Sequence, residues 1–311
     1  MDIFENRVAR AMLIADQKKP FDDPNYIYEL KFDGIRCLAY LESDKVDLRN
    51  KRNKEITSLF PELNEIYLQV NSRCILDGEI VVIKNNKPDF FEVQKRTIMT
   101  NPFKIKLQAD RLPAAFVAYD IIFLDNELLI DKGLEERKTL INKTVHENER
   151  IAISKVFENN GIVLFNLTKA QGLEGVVAKR KGSKYFFGKE SKDWIKFKVL
   201  EDQDYVVCGY IQKPNNMTSI VIGQYNNKKE LIYKGHVTLG SSLRILNQHE
   251  YKVINYSPFS DPVHTGNENA VWLEPELVCI VEYMPSNKEG LRQPVFKGIR
   301  TDKTANECIE K

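Results

Sequence analysis

Lys31, Asp33, Gly34 and Arg36 form the pattern K-x-D-G-x-R inside "YELKFDGIRCLAY", Tyr28 to Tyr40. A lysine is a nucleophile only when neutral, and an amine with a pKa near 10.4 is neutral in about one molecule in 2,500 at pH 7. Lowering that pKa by roughly three units costs on the order of 4 kcal/mol, so a reactive lysine needs neighbours that disfavour its ammonium form. Gly34 lets the chain turn sharply where an apolar run ends, which leaves Lys31 at a strand tip open to a ligand. Taken alone, the pattern fits equally a nucleophile and one more solvated cation.

Other polar groups follow in order along the chain. Glu79 stands in "LDGEIVV", Tyr119 in "FVAYDIIFL", Glu174 in "LEGVVAKR", Lys196 and Lys198 in "DWIKFKV", and Arg300, Asp302 and Lys303 in "FKGIRTDK". Glu79 and Glu174 are hard oxygen ligands suited to Mg²⁺ or Mn²⁺. Taken singly, each also suits a solvated strand end, since Asp-Gly-Glu and Glu-Gly make good turns. Lys196 and Lys198 alternate on a predicted strand, so both side chains share one face, as a phosphate pocket requires. The five cysteines form no C-x-x-C pair and the four histidines show no metal-ligand spacing, so any metal is expected on carboxylates and substrate phosphates.

The elements that must position these groups are legible as apolar runs bounded by turn residues. "YIYEL", "RCLAYL", "CILDGEIVVI", "AAFVAYDIIFL", "LEGVVAK" and "WIKFKV" read as strands. "DFFEVQKRTIM", with Asp89 as N-cap, and "GLEERKTLINKTV" read as helices. Past Leu200, "DYVVCGYI", "TSIVIGQY", "KELIYKGHVTL" and "ELVCIVEYM" are short strands, with one helical interval near "SSLRILNQHEY". That texture suits a small barrel such as an oligonucleotide-binding fold, with the boundary near "KVLEDQD".

At 311 residues two domains are expected, and 42% hydrophobic with 29% charged residues describes a globular chain. No apolar run approaches the roughly 18 residues of a membrane span, and the N-terminal apolar run is too short for a signal peptide. A cytoplasmic location and no membrane partner are the expectation. The net charge of +2 does not by itself announce nucleic acid, but "RNKRNK" and "AKRKGSKYFFGKESKDWIKFK" concentrate cations, the second with aromatics between them.

This ordered set resembles, over nearly the whole chain, the covalent nucleotidyltransferase superfamily of ATP-dependent DNA ligases, RNA ligases and capping guanylyltransferases. "LDGEIVV…PDFFEVQKR", "GLEGVVAKRKGSKY…GKESKDWIKFK" and "GLRQPVFKGIRTDK" are similar to signature stretches of the bacterial ligase D ligase domain used in end joining. The resemblance implies an α+β fold, with an ATP-grasp-like adenylyltransferase domain over 1–200 followed by an OB-fold barrel over 201–311.

It also implies roles. Lys31 attacks the α-phosphate of ATP, the AMP passes to a DNA 5′-phosphate, and a 3′-hydroxyl expels it. Arg36, Lys196, Lys198 and Mg²⁺ (or Mn²⁺) offset the phosphate charge, with Glu79 and Glu174 as metal ligands and Glu79 also near the ribose. Glu29 is placed near the exocyclic amine of adenine and Tyr119 under its ring, with Phe116 the alternative platform. Arg300 and Lys303 close over ATP for the first step and then withdraw. Arg52 receives the 5′-phosphate, although Asn53 is followed by Lys54 where the family usually has glycine, so Asn53 is expected to turn left-handed itself. The implied partners are nicked or broken duplex DNA and a Ku-like end-binding protein, with the ligase a monomer. RNA ligation or capping is the competing catalytic reading, and a non-catalytic nucleic-acid-binding module the competing non-enzyme.

Overall fold

A computed structural model describes residues 2–17, 19–213, 217–240, 246, 248–261, 266–285 and 290–310. The chain divides into two compact units, Met1–Val199 and Leu200–Lys311.

The first unit holds strands β1 (Leu13–Asp16), β2 (Tyr26–Leu30), β3 (Ile35–Leu41), β4 (Val46–Asn50), β5 (Cys74–Lys84), β6 (Lys87–Pro88), β7 (Ala114–Leu124), β8 (Glu127–Leu128), β9 (Ile151–Ile153), β10 (Phe157–Glu158), β11 (Gly175–Arg180) and β12 (Glu190–Lys198). Its helices are α1 (Phe90–Thr97), α2 (Pro102–Arg111), α3 (Leu134–Thr144) and α4 (Gly161–Ala170). One sheet runs β1-β12-β11-β2-β10; the other runs β4-β3-β5-β7-β8, with β6 on β5 and β9 on β7. All pairings except β1–β12 and β7–β9 are antiparallel, so the α+β class expected from the sequence is the one found.

Strand alternation sets which side chains meet. On β5, Leu76, Ile80 and Val82 enter a core with Phe60, Val93 and Phe116, while Ile75 enters another with Tyr119, Tyr185 and Trp194. Asp77 and Glu79 share the side of Ile75, and Arg36 shares that of Leu38 and Tyr40 in the same second core. From the other sheet, Ile27 of β2 and Trp194 of β12 join this core, whereas Tyr28, Val176, Ala178 and Phe197 face outward with Leu164 of α4. Glu29, Val177, Lys179, Lys196 and Lys198 are therefore on the inward side. The second core is the layer between the sheets, and the charged residues continue it toward one end.

Asp89 caps α1 by accepting from the N–H groups of Phe91 and Glu92, as its sequence suggested. Two helices lie where none was expected. Asn101 and Pro102 start α2 with a side-chain cap and a proline in the first turn. In α4 the run "GIVLF" carries no polar alternation, and its apolar content masks the helical period.

In the second unit, β13 (Glu201–Gln212), β14 (Thr218–Tyr225), β15 (Leu231–Gly240), β16 (Val253–Ile254), β17 (Val271–Leu273), β18 (Val278–Met284) and β19 (Arg292–Arg300) form one antiparallel sheet. The long β13 pairs with β18 over Glu201–Val206 and with β17 at Gly209–Tyr210, bending at a register shift between. This curls the sheet around Tyr205, Val207, Ile220, Ile222, Val237, Leu273, Cys279 and Val281, the arrangement of an OB barrel. The helical interval expected near "SSLRILNQHEY" falls largely on 241–245 and 247, outside the described residues. Among the described residues no helix is long and apolar enough to cross a membrane.

Candidate active site

Lys31 follows the last residue of β2, and its backbone N–H donates to the Gly175 carbonyl at 2.9 Å. Gly175 stands opposite Lys198 in the β11–β12 register. Three adjacent strands, each about 4.8 Å from the next, thus carry Lys31, Gly175 and Lys198 side by side. Glu174, just before Gly175, places Oε1 2.7 Å from the Lys31 Nζ. Gly34 is needed for a reason other than a sharp turn: its backbone is not left-handed, but a Cβ there would lie 2.2 Å from the Ile80 carbonyl oxygen and 2.9 Å from Glu79 Cγ. The loop from Lys31 to Gly34 is pressed against β5 at the point where Glu79 projects.

Glu79 is opposite Arg36 in the β3–β5 register. Burial pushes its carboxyl up to about 8, with Glu174 and Asp77 adding to the shift against the opposing Lys31 and Arg36. Near neutral pH the Glu79 carboxyl is therefore mostly protonated, and Glu174 is the carboxylate that faces the Lys31 amine. Among the described residues no three His, Cys, Asp or Glu side chains converge as a complete metal cage. Mg²⁺ is commonly held through one or two carboxylates, substrate phosphates and waters, so the neighbouring oxygen donors of Glu79 and Glu174 fit such an ion, whose charge would favour the ionised Glu79. Beside Lys31 and Glu174 opens a cleft of about 550 Å³, bordered by Leu30, Phe32, Asp33, Ile83, Lys87 and Leu173.

Behind the lysine the sheets close over a buried polar layer. Arg36 donates Nε to Asp77 Oδ1 at 3.1 Å and Nη2 to Oδ2 at 2.6 Å, and the Tyr185 hydroxyl donates to the same Oδ2 at 2.6 Å. Glu29 is ion-paired with Lys138 at 2.5 Å and Lys179 at 3.0 Å. Burial opposes its ionisation, but the two lysines outweigh that and hold its carboxyl below the usual range. Burial also pushes Lys179 down to about 8, against the pull of Glu29. Lys179 Nζ is 4.5 Å from the Tyr119 ring centre and 4.3 Å from that of Trp194; Arg36 is 5.5 Å from Tyr119.

The structure thus gathers Lys31, Glu79, Glu174 and Lys198 at one end, with Glu29, Arg36 and Tyr119 in the layer behind. Tyr119 is 8% exposed, and a base stacked on it requires Lys179 or Arg36 to shift. Phe116 points to the other side of β7 and is fully buried. Lys196 reaches Asp16 at 3.0 Å and the Ile14 carbonyl at 3.4 Å, which anchors it to β1. Arg52 is exposed at the tip of the turn after β4, at the Arg36 end of the sheet because Asn50 pairs with Cys37. Asn53 there has φ +63°, the left-handed conformation expected of it. In the second unit Arg300 and Lys303 share Asp204.

Sequence reasoning missed Asp77, Lys179, Tyr185 and Asp204. Asp77 was readable, since two residues before Glu79 on a strand means the same face. So was Lys179, which alternates with inward Val177. Tyr185 and Asp204 meet their partners across 108 and 96 residues respectively, where spacing carries no signal.

A two-sheet domain followed by an OB barrel is the architecture of the nucleotidyltransferase fold. Residues 9–198 match the ATP dependent DNA ligase domain family, and 213–303 match the ATP dependent DNA ligase C terminal region. The chain belongs to the ATP-dependent DNA ligase family. It is 34% identical over 203 residues to the SPbeta prophage-derived DNA ligase-like protein LigB of Bacillus subtilis, covering 65% of this chain and 72% of that protein. It is 29% identical over 307 residues to the multifunctional non-homologous end joining protein LigD of Pseudomonas aeruginosa, of whose length it spans only 34%. The solved ligase domain of Mycobacterium tuberculosis LigD is similar at TM-score 0.54 and 26% identity, over 99% of both chains.

Proposed function

We propose that this chain seals 5′-phosphate/3′-hydroxyl breaks in duplex DNA through a lysyl-AMP intermediate on Lys31. The observation that carries this is the Lys31 ammonium at a strand tip, 2.7 Å from Glu174 and beside the half-buried Glu79. In the first step a bond forms between Lys31 Nζ and the α-phosphorus while the bond from that phosphorus to the bridging oxygen breaks, and pyrophosphate leaves. Lys31 has to shed its proton before it attacks, and Glu174 is an acceptor within hydrogen-bond reach. The AMP then passes to the 5′-phosphate, and the 3′-hydroxyl displaces it.

In this reading Glu79 and Glu174 hold Mg²⁺ or Mn²⁺, which would supply charge neutralisation at the α-phosphate. Lys196 and Lys198 face the phosphates. Arg36 supports the site from its pair with Asp77, and Glu29, kept ionised by two lysines, accepts from the adenine amine with Tyr119 under the ring. Arg52 receives the 5′-phosphate, and Arg300 with Lys303 orients the pyrophosphate. The LigD relatives are named for end joining, which supports a role in DNA break repair, with nicked or broken duplex and a Ku-like protein as partners of a monomeric, cytoplasmic enzyme. The test is a nicked duplex with one labelled 5′-phosphate, incubated with Mg²⁺ and ATP. Sealing by wild type and none by Lys31→Ala is expected; no sealing by wild type, or sealing of nicked RNA alone, refutes the reading.

A further inference from the structure

Arg300 ends β19 and Lys303 lies in the turn after it, and both long side chains converge on one carboxylate from a distant strand. Asp204 of β13 accepts from Arg300 Nη1 at 3.2 Å on both oxygens and from Lys303 Nζ at 2.6 Å. The other edge of the guanidinium is taken by Asp302, from Nε at 3.0 Å and from Nη2 at 2.6 Å. The turn is locked in turn by a capping box, in which Glu307 accepts from the Thr304 N–H at 2.8 Å. Asp204 is itself pinned, since Gln224 Nε2 donates to its backbone carbonyl at 3.0 Å. Three elements that are remote in sequence are arranged so that one anion spans two cations.

Partly exposed pairs of this kind contribute little to folding stability, so the ion pairs gain most as positioning. Arg300 and Lys303 are both long, rotamer-rich side chains whose freedom a polyphosphate would otherwise have to freeze. Burial disfavours the ionised Asp204, but Lys303 and Arg300 outweigh it and hold its carboxyl below the usual carboxylate range. It therefore stays an anion across the neutral range and holds both cations throughout.

We propose that Asp204 is a positioning residue for the first step, presenting Arg300 and Lys303 as one preorganised cationic pair to the pyrophosphate end of ATP. The proposal rests on the ligase reading above. A residue that acts only on pyrophosphate matters for making lysyl-AMP and not for sealing DNA that already carries the 5′-adenylate. A carboxylate that merely stabilised the barrel would affect both steps alike.

The experiment compares Asp204→Asn with wild type in two assays: label uptake from α-labelled ATP, and sealing of a pre-adenylylated nick without ATP. Expected are at least a tenfold loss of kcat/KM for label uptake and sealing within twofold of wild type. In an Arg300→Ala, Lys303→Ala background, Asp204→Asn is expected to add no further loss. Asp204→Glu keeps the anion and is expected to recover part of the rate, which serves if the asparagine variant folds poorly. Undiminished label uptake in Asp204→Asn, an equal fall in both assays, or an additive loss in the double-variant background overturns the proposal. Failure of wild type in both assays would instead refute the ligase reading.

Discussion

Replacing Gly34 by alanine tests whether the close approach of the Lys31 loop to β5 sets the geometry of the reaction. The added Cβ would stand 2.2 Å from the Ile80 carbonyl oxygen, where ordinary contact begins at 3.4 Å, so about 1 Å of movement is required. Ile80 is fully buried in the middle of its sheet and pairs with Ile35. The loop therefore yields rather than the strand, and Lys31 moves with it. A displacement of about 1 Å at a reacting atom costs roughly 10²-fold in rate, and the overpacking costs about 1–3 kcal/mol of stability. The assays are initial rates of label transfer from α-labelled ATP and urea unfolding of the same preparations. Gly182→Ala is the control, because a Cβ there meets nothing within 4 Å. A Gly34→Ala protein that takes up label at the wild-type rate with unchanged stability would refute the reasoning.

Asp77→Asn leaves the Arg36 guanidinium facing a neutral amide in a buried layer and is expected to cost about 3–5 kcal/mol in chemical unfolding, against about 1 kcal/mol for Tyr185→Phe. Lys179, pushed down to about 8 by burial, binds fewer protons folded than unfolded between that pH and its ordinary value. The Lys179 contribution to stability therefore rises with pH across roughly 8 to 10.5, by up to about 3 kcal/mol, while the buried cysteines and tyrosines, whose burial raises them, pull the other way; the unfolding free energy of wild type minus that of Lys179→Met, taken at each pH, should grow over that window. At Asn53, φ +63° tolerates glycine but not a β-branched side chain. Asn53→Gly is expected to stay within about 1 kcal/mol of wild type, and Asn53→Val to lose about 1–3 kcal/mol by the same unfolding measurement.

Much of this was readable before any coordinates, because the strands carry strong local patterns. "YIYEL", "AAFVAYDIIFL" and "TSIVIGQY" became β2, β7 and β14 with the same ends. That Lys196 and Lys198 share a face followed from period-two alternation alone; that the face is the inward one did not. α4 was hidden because its four consecutive apolar residues look the same in either period. α2 was marked by Asn101 and Pro102, a capping signal that was present and passed over. Lys31 and Glu174, beside strand ends, and Glu79, in the middle of β5, were singled out in the sequence, and the fold brings the three together. The site was not legible where the support is tertiary, as in Asp77 with Tyr185 or Asp204 with Arg300 and Lys303. Composition gave no warning that Tyr119 would lie beneath Lys179, since a strand sequence fixes a side chain's face but not what covers it.

The most direct test of the central claim is to find where the AMP goes. The protein is incubated with Mg²⁺ and ATP, digested, and its peptides sequenced by mass spectrometry. One adenylylated residue is expected, Lys31 in "YELKFDGIR", lost on chase with nicked duplex DNA and absent from Lys31→Ala. Adenylate on any other lysine of the wild type, or on the Lys31→Ala protein, would contradict the claim.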